Sequence, residues 1–294
     1  MKIIDLYQYI YKELISVTRN EFEAKIEAEL VITCNAFSKI IGFELTKESL
    51  FGIKSDHELN NDAYKFLVEV IKDRKTGMPI QYILNEAWFY NNKFEVYKNN
   101  YEKTLIPRNE TELIVEKSLT YISKINRIID ALDVGTGSGC IPISISLNTS
   151  KTIYWTAIDP YLNSLPEINT KDKKVDFIKY EKKSILDIDL NSTKKYDLIT
   201  ANLPYVPTKS IIDDSVKYEP AGSIFGGIDG LDYLKDLVSI LPSLLKSKKS
   251  IAIMEIDPSQ KEYFESLRKI FKVELSEDIQ GLLRITTLNK KVIF

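Results

Sequence analysis

The chain has 294 residues, room for about two domains, and at 44% hydrophobic and 28% charged residues its composition is that of an ordinary globular protein, which excludes disorder as the main theme. Forty basic against 42 acidic residues give a net charge of -2, which argues against nucleic-acid binding through bulk positive charge. Two cysteines, Cys34 and Cys140, and one histidine, His57, are too few for a Cys/His zinc site, a disulfide framework or a Ser-His triad.

The N-terminus, Met1-Lys2-Ile3-Ile4-Asp5, lacks the apolar stretch of a signal peptide, and no run approaches the ~18 apolar residues of a membrane span. A soluble, cytoplasmic protein is expected. Leu6, Ile10, Leu14 and Val17 then form an apolar stripe at helical spacing, followed by a second of Phe22, Ile26, Leu30, Cys34 and Phe37. Asn20 with Glu23 reads as a capping box ahead of the second stripe, and Gly42 stands where that helix should stop. The polar run Lys54 to Glu58 around His57 reads as a solvated loop, and Ala63, Phe66, Val70 and Ile71 make a third stripe. Residues 1–76 are therefore expected to be a helical domain. Over residues 1–90, nine Lys and two Arg stand against four Asp and ten Glu, a mildly acidic balance.

Between residues 77 and 106 the texture changes to aromatic and β-branched residues: Gln81 to Leu84, Trp88 to Tyr90 and Phe94 to Tyr97, with Asn91-Asn92 as a tight turn. This predicts a β-hairpin linker between two domains. Asn109, with Glu112 three residues on, then reads as the cap of a helix through Leu113, Ile114 and Tyr121. From there strands near 128–134, 153–159, 175–180, 196–202, 250–256 and 282–288 alternate with helices near 140–147, 230–245 and 259–271. That alternation over 107–294 predicts an α/β domain, a mostly parallel sheet with helices on both faces.

The strand Ile128 to Val134 runs directly into Gly135-Thr136-Gly137-Ser138-Gly139, with a helix starting near Cys140. Glycines there let backbone approach a ligand, and Asp159, 24 residues after Gly135 at the end of the next strand, is placed to accept both ribose hydroxyls of an adenosine ligand. A later strand delivers Asn202-Leu203-Pro204-Tyr205 at its carboxyl end. Asn202 offers an acceptor oxygen, and Leu203 a carbonyl whose direction Pro204 restricts. Two acceptors suit the two hydrogens of a planar amide or amine, and Tyr205 can pack on its face.

Through these segments the chain resembles the class I S-adenosylmethionine-dependent methyltransferases, and specifically the release-factor glutamine methyltransferases. The resemblance also rests on Pro79 to Leu84, Leu105-Ile106-Pro107-Arg108 with Glu110-Thr111-Glu112, Tyr218-Glu219-Pro220 and the run Gly226 to Asp232. It implies a Rossmann-like methyltransferase domain behind a small helical, substrate-docking domain. It also implies S-adenosylmethionine as cofactor, S-adenosylhomocysteine as product and no metal. The implied reaction is methylation of the side-chain amide nitrogen of the glutamine in the Gly-Gly-Gln tip of peptide-chain release factors. Cofactor binding then falls to Gly135, Thr136, Gly137, Ser138, Gly139, Asp159, Ile185 and Asn202, substrate binding to Asn202, Leu203, Pro204 and Tyr205, and catalysis to Asn202 and Tyr205. Leu203 stands where the family usually has Pro, and Lys183-Ser184-Ile185 where it usually has an Asp near the adenine. The expected partner is a release factor, with no membrane or direct nucleic-acid contact and a monomeric state. The alternatives are an adenine-N6 methyltransferase acting on RNA or DNA through the same four residues, and a cofactor-binding protein without catalysis.

Overall fold

A computed structural model of the chain describes residues 2–46, 58 and 60–291, so the expected loop around His57 lies outside the described residues. Two compact units are present, Met1–Glu86 with Asp213–Tyr218, and Ala87–Ile212 with Glu219–Phe294.

The first unit is helical, with helices Ile3–Thr18, Glu21–Thr33, Asn35–Ile41 and Asn61–Arg74 and a single turn at Ile80–Ile83. Leu6, Ile10 and Leu14 bury the expected stripe of the first helix, and Ala63, Val70 and Ile71 that of the fourth. The second stripe is split: Cys34 and Phe37 are buried and Leu30 packs against the core as expected, but its first two residues face outward. Phe22 is 74% exposed and Ile26 is also exposed, while Ala24, Ala28, Val31 and Ile32 are buried in their place. The segment carries apolar residues on two faces, and packing rather than periodicity chose between them. Nor does one helix run on to Gly42. The chain breaks at Cys34, whose backbone is extended and whose Sγ accepts from Phe37 N at 3.3 Å, so that Gly42 ends a separate, shorter helix. Asn20 caps the helix, its Oδ1 accepting from the N–H groups of Phe22 and Glu23, but the return bond from the Glu23 side chain that would complete the expected capping box is not among its bonds.

In the second unit β1 (Ala87–Phe89) and β2 (Asn92–Phe94) pair antiparallel. Tyr90 and Asn91 have φ of 47° and 59°, which puts the turn one residue before the expected Asn91-Asn92. Gln81 to Leu84, expected to be extended, belongs to the helical turn that opens at Pro79, because proline is compatible with the entry to a helix. A second small pair, β3 (Tyr97–Asn99) and β4 (Glu102–Lys103), follows. Asn109 does not cap a helix: Asn109–Thr111 forms a 3-10 turn ahead of the helix Glu112–Ile122. Glu112 instead accepts from Tyr90 N at 2.8 Å, tying the hairpin to that helix.

The main sheet consists of β5 (Ile129–Val134), β6 (Ile153–Ile158), β7 (Ile178–Glu181), β8 (Leu198–Ala201), β9 (Ile251–Glu255), β10 (Phe271–Glu277) and β11 (Leu283–Lys290), in the order β10-β11-β9-β8-β5-β6-β7. Pairing is parallel from β9 through β7, and β11 runs antiparallel between β9 and β10. Successive residues of a strand point to opposite faces, and both faces are covered. On β5, Leu132 and Val134 pack with Leu234, Leu237 and Leu241 of the helix Asp232–Leu244, while Ala131 joins Ile141, Ile145 and Val115 on the other side. The helices Cys140–Leu147 and Asp232–Leu244 lie where periodicity predicts. The helix expected over 259–271 is three short pieces, and its last residue already belongs to β10, which the sequence reading leaves unassigned. A helix at Leu165–Lys173 was likewise not anticipated. Strand order reverses between β5 and β8, so the crevice at the carboxyl ends of these strands is where such a sheet binds ligands. Among the described residues no helix is long and apolar enough to cross a membrane.

Candidate active site

After Val134 the N–H groups of Gly135 and Thr136 both donate to Ile158 O, at 2.9 and 3.1 Å, and Gly139 N donates back to Thr136 O at 2.8 Å. This folds the five residues into a tight turn before the helix Cys140–Leu147. Gly135 has φ +74°, and a Cβ there would stand 3.2 Å from the Asn202 carbonyl oxygen and 3.1 Å from Leu203 Cδ2. Glycine thus lets the ends of β5 and β8 approach each other. Asp159 Oδ2 accepts from Gly137 N at 3.1 Å and Oδ1 from Tyr161 N at 2.8 Å. Each carboxylate oxygen has more than one acceptor site, so these bonds leave room for further donors. Burial raises the Asp159 pKa above the usual carboxylate value, against the pull of the two N–H bonds.

Asp133, on β5, is fully buried. Burial pushes its pKa up to about 6, although Thr200 Oγ1 donates to its Oδ1 at 2.6 Å. The Thr136 side chain also lowers this pKa, although neither Asp133 Oδ2 nor Thr136 Oγ1 makes a hydrogen bond of ordinary length.

At the end of β8, Asn202 Nδ2 donates to Thr111 Oγ1 at 2.9 Å, and Thr111 Oγ1 donates to Glu255 Oε2 at 2.6 Å. Tyr205 OH donates to the other oxygen of Glu255 at 2.8 Å. Glu255 lies at the end of β9 and is 1% exposed. Burial raises its pKa, opposed by the two hydroxyl donors, and burial followed by the Glu255 charge raises that of Tyr205. The sequence reading did not single out Glu255, and it placed Thr111 only within a motif. Each is separated from its partners by a long stretch of chain, so no local pattern marks it.

The run Gly226 to Asp232 lies against the backbone of Pro204, Tyr205 and Val206. A Cβ on Gly230, at φ +74°, would fall 2.1 Å from the Tyr205 carbonyl oxygen. Gln260 Nε2 donates to Gly230 O at 2.8 Å. Val206 and Gly226 exchange further backbone bonds with this loop: Val206 N donates to Ile224 O at 3.0 Å and Gly226 N to Val206 O at 2.9 Å. Glu219 ties in the segment preceding Thr111, accepting from Ile106 N at 2.9 Å and pairing with the Arg108 guanidinium.

A cavity of about 290 Å³ opens at this end of the sheet, near the lower limit of small-molecule pockets. Gly135, Gly137, Asp159, Ile185, Asn202, Leu203 and Pro204 are all on its wall. Lys183 and Ser184 are there too, with Lys183 Nζ paired to Glu181 at 2.7 Å. Thr136 and Ser138 are turned into the interior, Gly139 packs against Tyr180, Ile143 and Pro166, and Tyr205 reaches Glu255 instead. Among the described residues no group of three or more His, Cys, Asp or Glu is placed to hold a metal ion.

No protein-family model matches the chain. Curated relatives do: the release factor glutamine methyltransferase of Clostridium acetobutylicum is 32% identical over 219 residues, 72% of this chain and 75% of that protein. The chain belongs to the release factor glutamine methyltransferase family. The family member from Aquifex aeolicus is 28% identical over 291 residues, 97% of both chains, and that from Bacillus subtilis 30% over 233 residues, 75% of this chain and 78% of its own. Family membership thus extends over the helical unit as well as the sheet. Among solved structures, the release factor-specific protein-(glutamine-N5) methyltransferase of Alicyclobacillus acidocaldarius is similar over 64% of this chain and 96% of its own, with TM-score 0.41 and 21% identity.

Proposed function

We propose that this protein methylates the side-chain amide nitrogen of a release-factor glutamine, the one in the Gly-Gly-Gln tip, using S-adenosylmethionine, and that it does so in the cytoplasm. The observation that carries this is the meeting of Asn202, Leu203 and Pro204 with Gly135 and Gly137 on one cavity wall, in a chain of this family.

The residues present fit that cofactor. Backbone is bared at Gly135, and Asp159, on the cavity wall at the end of the neighbouring strand, keeps acceptor capacity. Gly135, Gly137, Asp159, Ile185 and Asn202 would hold it, with Thr136, Ser138 and Gly139 shaping the turn behind them. When bound, its sulfonium supplies an electrophilic methyl group.

An amide nitrogen is a poor nucleophile because its lone pair is delocalised into the carbonyl, so the chain's own residues act chiefly by positioning. Asn202 Oδ1 and the Leu203 carbonyl accept the two N–H bonds of the glutamine amide, and the Tyr205 ring packs on its face. These acceptors fix the orientation and favour the positive charge that develops on nitrogen. No dedicated base is required before transfer, since the protonated product amide loses its proton readily. Labelled methyl transfer to purified release factor, beside a variant whose tip glutamine is replaced and beside RNA, tests the reading. Label on the intact release factor alone supports it, and label on RNA alone replaces it with adenine-N6 methylation.

A further inference from the structure

Asn202 can serve as an acceptor only if its amide is held the right way round, because the oxygen and nitrogen ends are nearly the same size and rotation by half a turn exchanges them. Exchanged, the site would present a donor to the donors of the substrate. Something must therefore hold Asn202 in one of its two orientations.

The hydrogen-bond directions beneath it do this. As a carboxylate, with two hydroxyl donors opposing the upward pull of burial on its pKa, Glu255 accepts and never donates. Glu255, buried at the end of β9, therefore takes the single hydroxyl proton of Thr111 on one oxygen, at 2.6 Å, and that of Tyr205 on the other, at 2.8 Å. With its proton committed, Thr111 Oγ1 has only lone pairs left for Asn202. The atom 2.9 Å away must then be a donor, Nδ2. Oδ1 is consequently the end left for the substrate, and it has no hydrogen bond to any described residue.

We propose that Thr111 and Glu255 are positioning residues that lock the Asn202 amide with Oδ1 offered to the substrate, Thr111 directly and Glu255 through the direction of the Thr111 hydroxyl. The inference rests on the reading of Asn202 as an acceptor for the glutamine amide. Burial of an acid between two hydroxyls, rather than of a glutamine, follows from this role: a glutamine carries both a donor and an acceptor and would leave the Thr111 proton free to point either way. The same bond commits the Tyr205 hydroxyl, so one carboxylate fixes both side chains that flank Leu203 and Pro204.

Thr111→Val keeps the shape and removes the hydroxyl, while Thr111→Ser keeps the hydroxyl. For full-length enzyme acting on purified release factor, kcat of Thr111→Val is expected to fall roughly ten- to hundredfold, the scale of one lost buried hydrogen bond, with KM and calorimetric affinity for S-adenosylmethionine close to wild type. Thr111→Ser should recover most of that kcat. In an Asn202→Ala background, Thr111→Val should cost little more, since there is no amide left to orient. Should Thr111→Val melt below the assay temperature, Thr111→Ala carries the same test. Wild-type kcat for the hydroxyl-deleted variant, equal impairment of Thr111→Ser, or full additivity with Asn202→Ala would each overturn the inference. Wild-type kcat for Asn202→Ala itself would instead overturn the acceptor reading on which it rests.

Discussion

Asn202 and Leu203 make different kinds of contribution, one through a side chain and the other through a carbonyl, and substitution separates them. Asn202→Ala removes an acceptor that matters most as charge develops, so kcat is expected to fall by roughly two to three orders of magnitude. Leu203→Pro keeps the carbonyl, and single-turnover methylation of release factor should survive it. Loss of activity in Leu203→Pro would show that the Leu203 side chain, which packs against Gly135, is itself required.

Asp133 gives a second prediction at this scale, one of stability. Its folded-state pKa is raised to about 6 from 3.8, so the folded protein binds the proton more tightly than the unfolded chain. The stabilisation is full below the unfolded value and is lost as pH rises through about 6. Asp133→Asn cannot titrate, so between about pH 4 and pH 7 wild type should lose on the order of 2 kcal/mol relative to it in denaturant melts. A difference that does not change with pH would contradict the assigned burial. The glycine turn and the residues 202–205 were legible in the sequence because each is contiguous. Glu255 was not, since it ends an ordinary apolar strand and acquires its partners only when β8 and the Thr111 turn are brought beside it.

Elements show the same division between local and non-local information. Strands β6, β8 and β9 are largely apolar runs, β5 and β11 interleave apolar with polar residues, and the sequence places all five to within a few residues. β10 alternates buried and exposed residues only over its first four positions, too short a pattern to stand out beside the helix expected over 259–271. The helix Leu165–Lys173 buries only Leu165, Pro166 and Asn169, too few apolar residues for a stripe. In the helical unit, the periodicity of Glu21–Thr33 points to the face of Phe22 and Ile26, whereas the buried face carries the charge of Glu27. The structure resolves the conflict by pairing. Glu27, nearly buried, receives Arg74 Nε on both oxygens at 3.1 and 3.0 Å. Burial raises the Glu27 pKa and Arg74 counters it. Arg74→Met leaves that carboxylate without its partner, and thermal or denaturant unfolding should show a loss of about 3–5 kcal/mol. An unchanged melting curve would mean that the pair contributes nothing net.

At the scale of the whole molecule, the division into a helical unit and a sheet unit suggests a division of labour. The cavity wall is drawn from the sheet unit alone, and we assign the mildly acidic helical unit to docking of the release factor. Deleting residues 2–75 should then leave S-adenosylmethionine affinity unchanged by calorimetry and raise KM for release factor. An unchanged KM would remove the docking role. The central claim, that Asn202 and its neighbours present a protein glutamine for methylation, is tested most directly by transfer of a labelled methyl group to intact release factor, to the same factor with its tip glutamine replaced, and to RNA. The account predicts label on the intact factor and on neither of the others. Label on the glutamine-replaced factor at the intact rate, or on RNA alone, would contradict it.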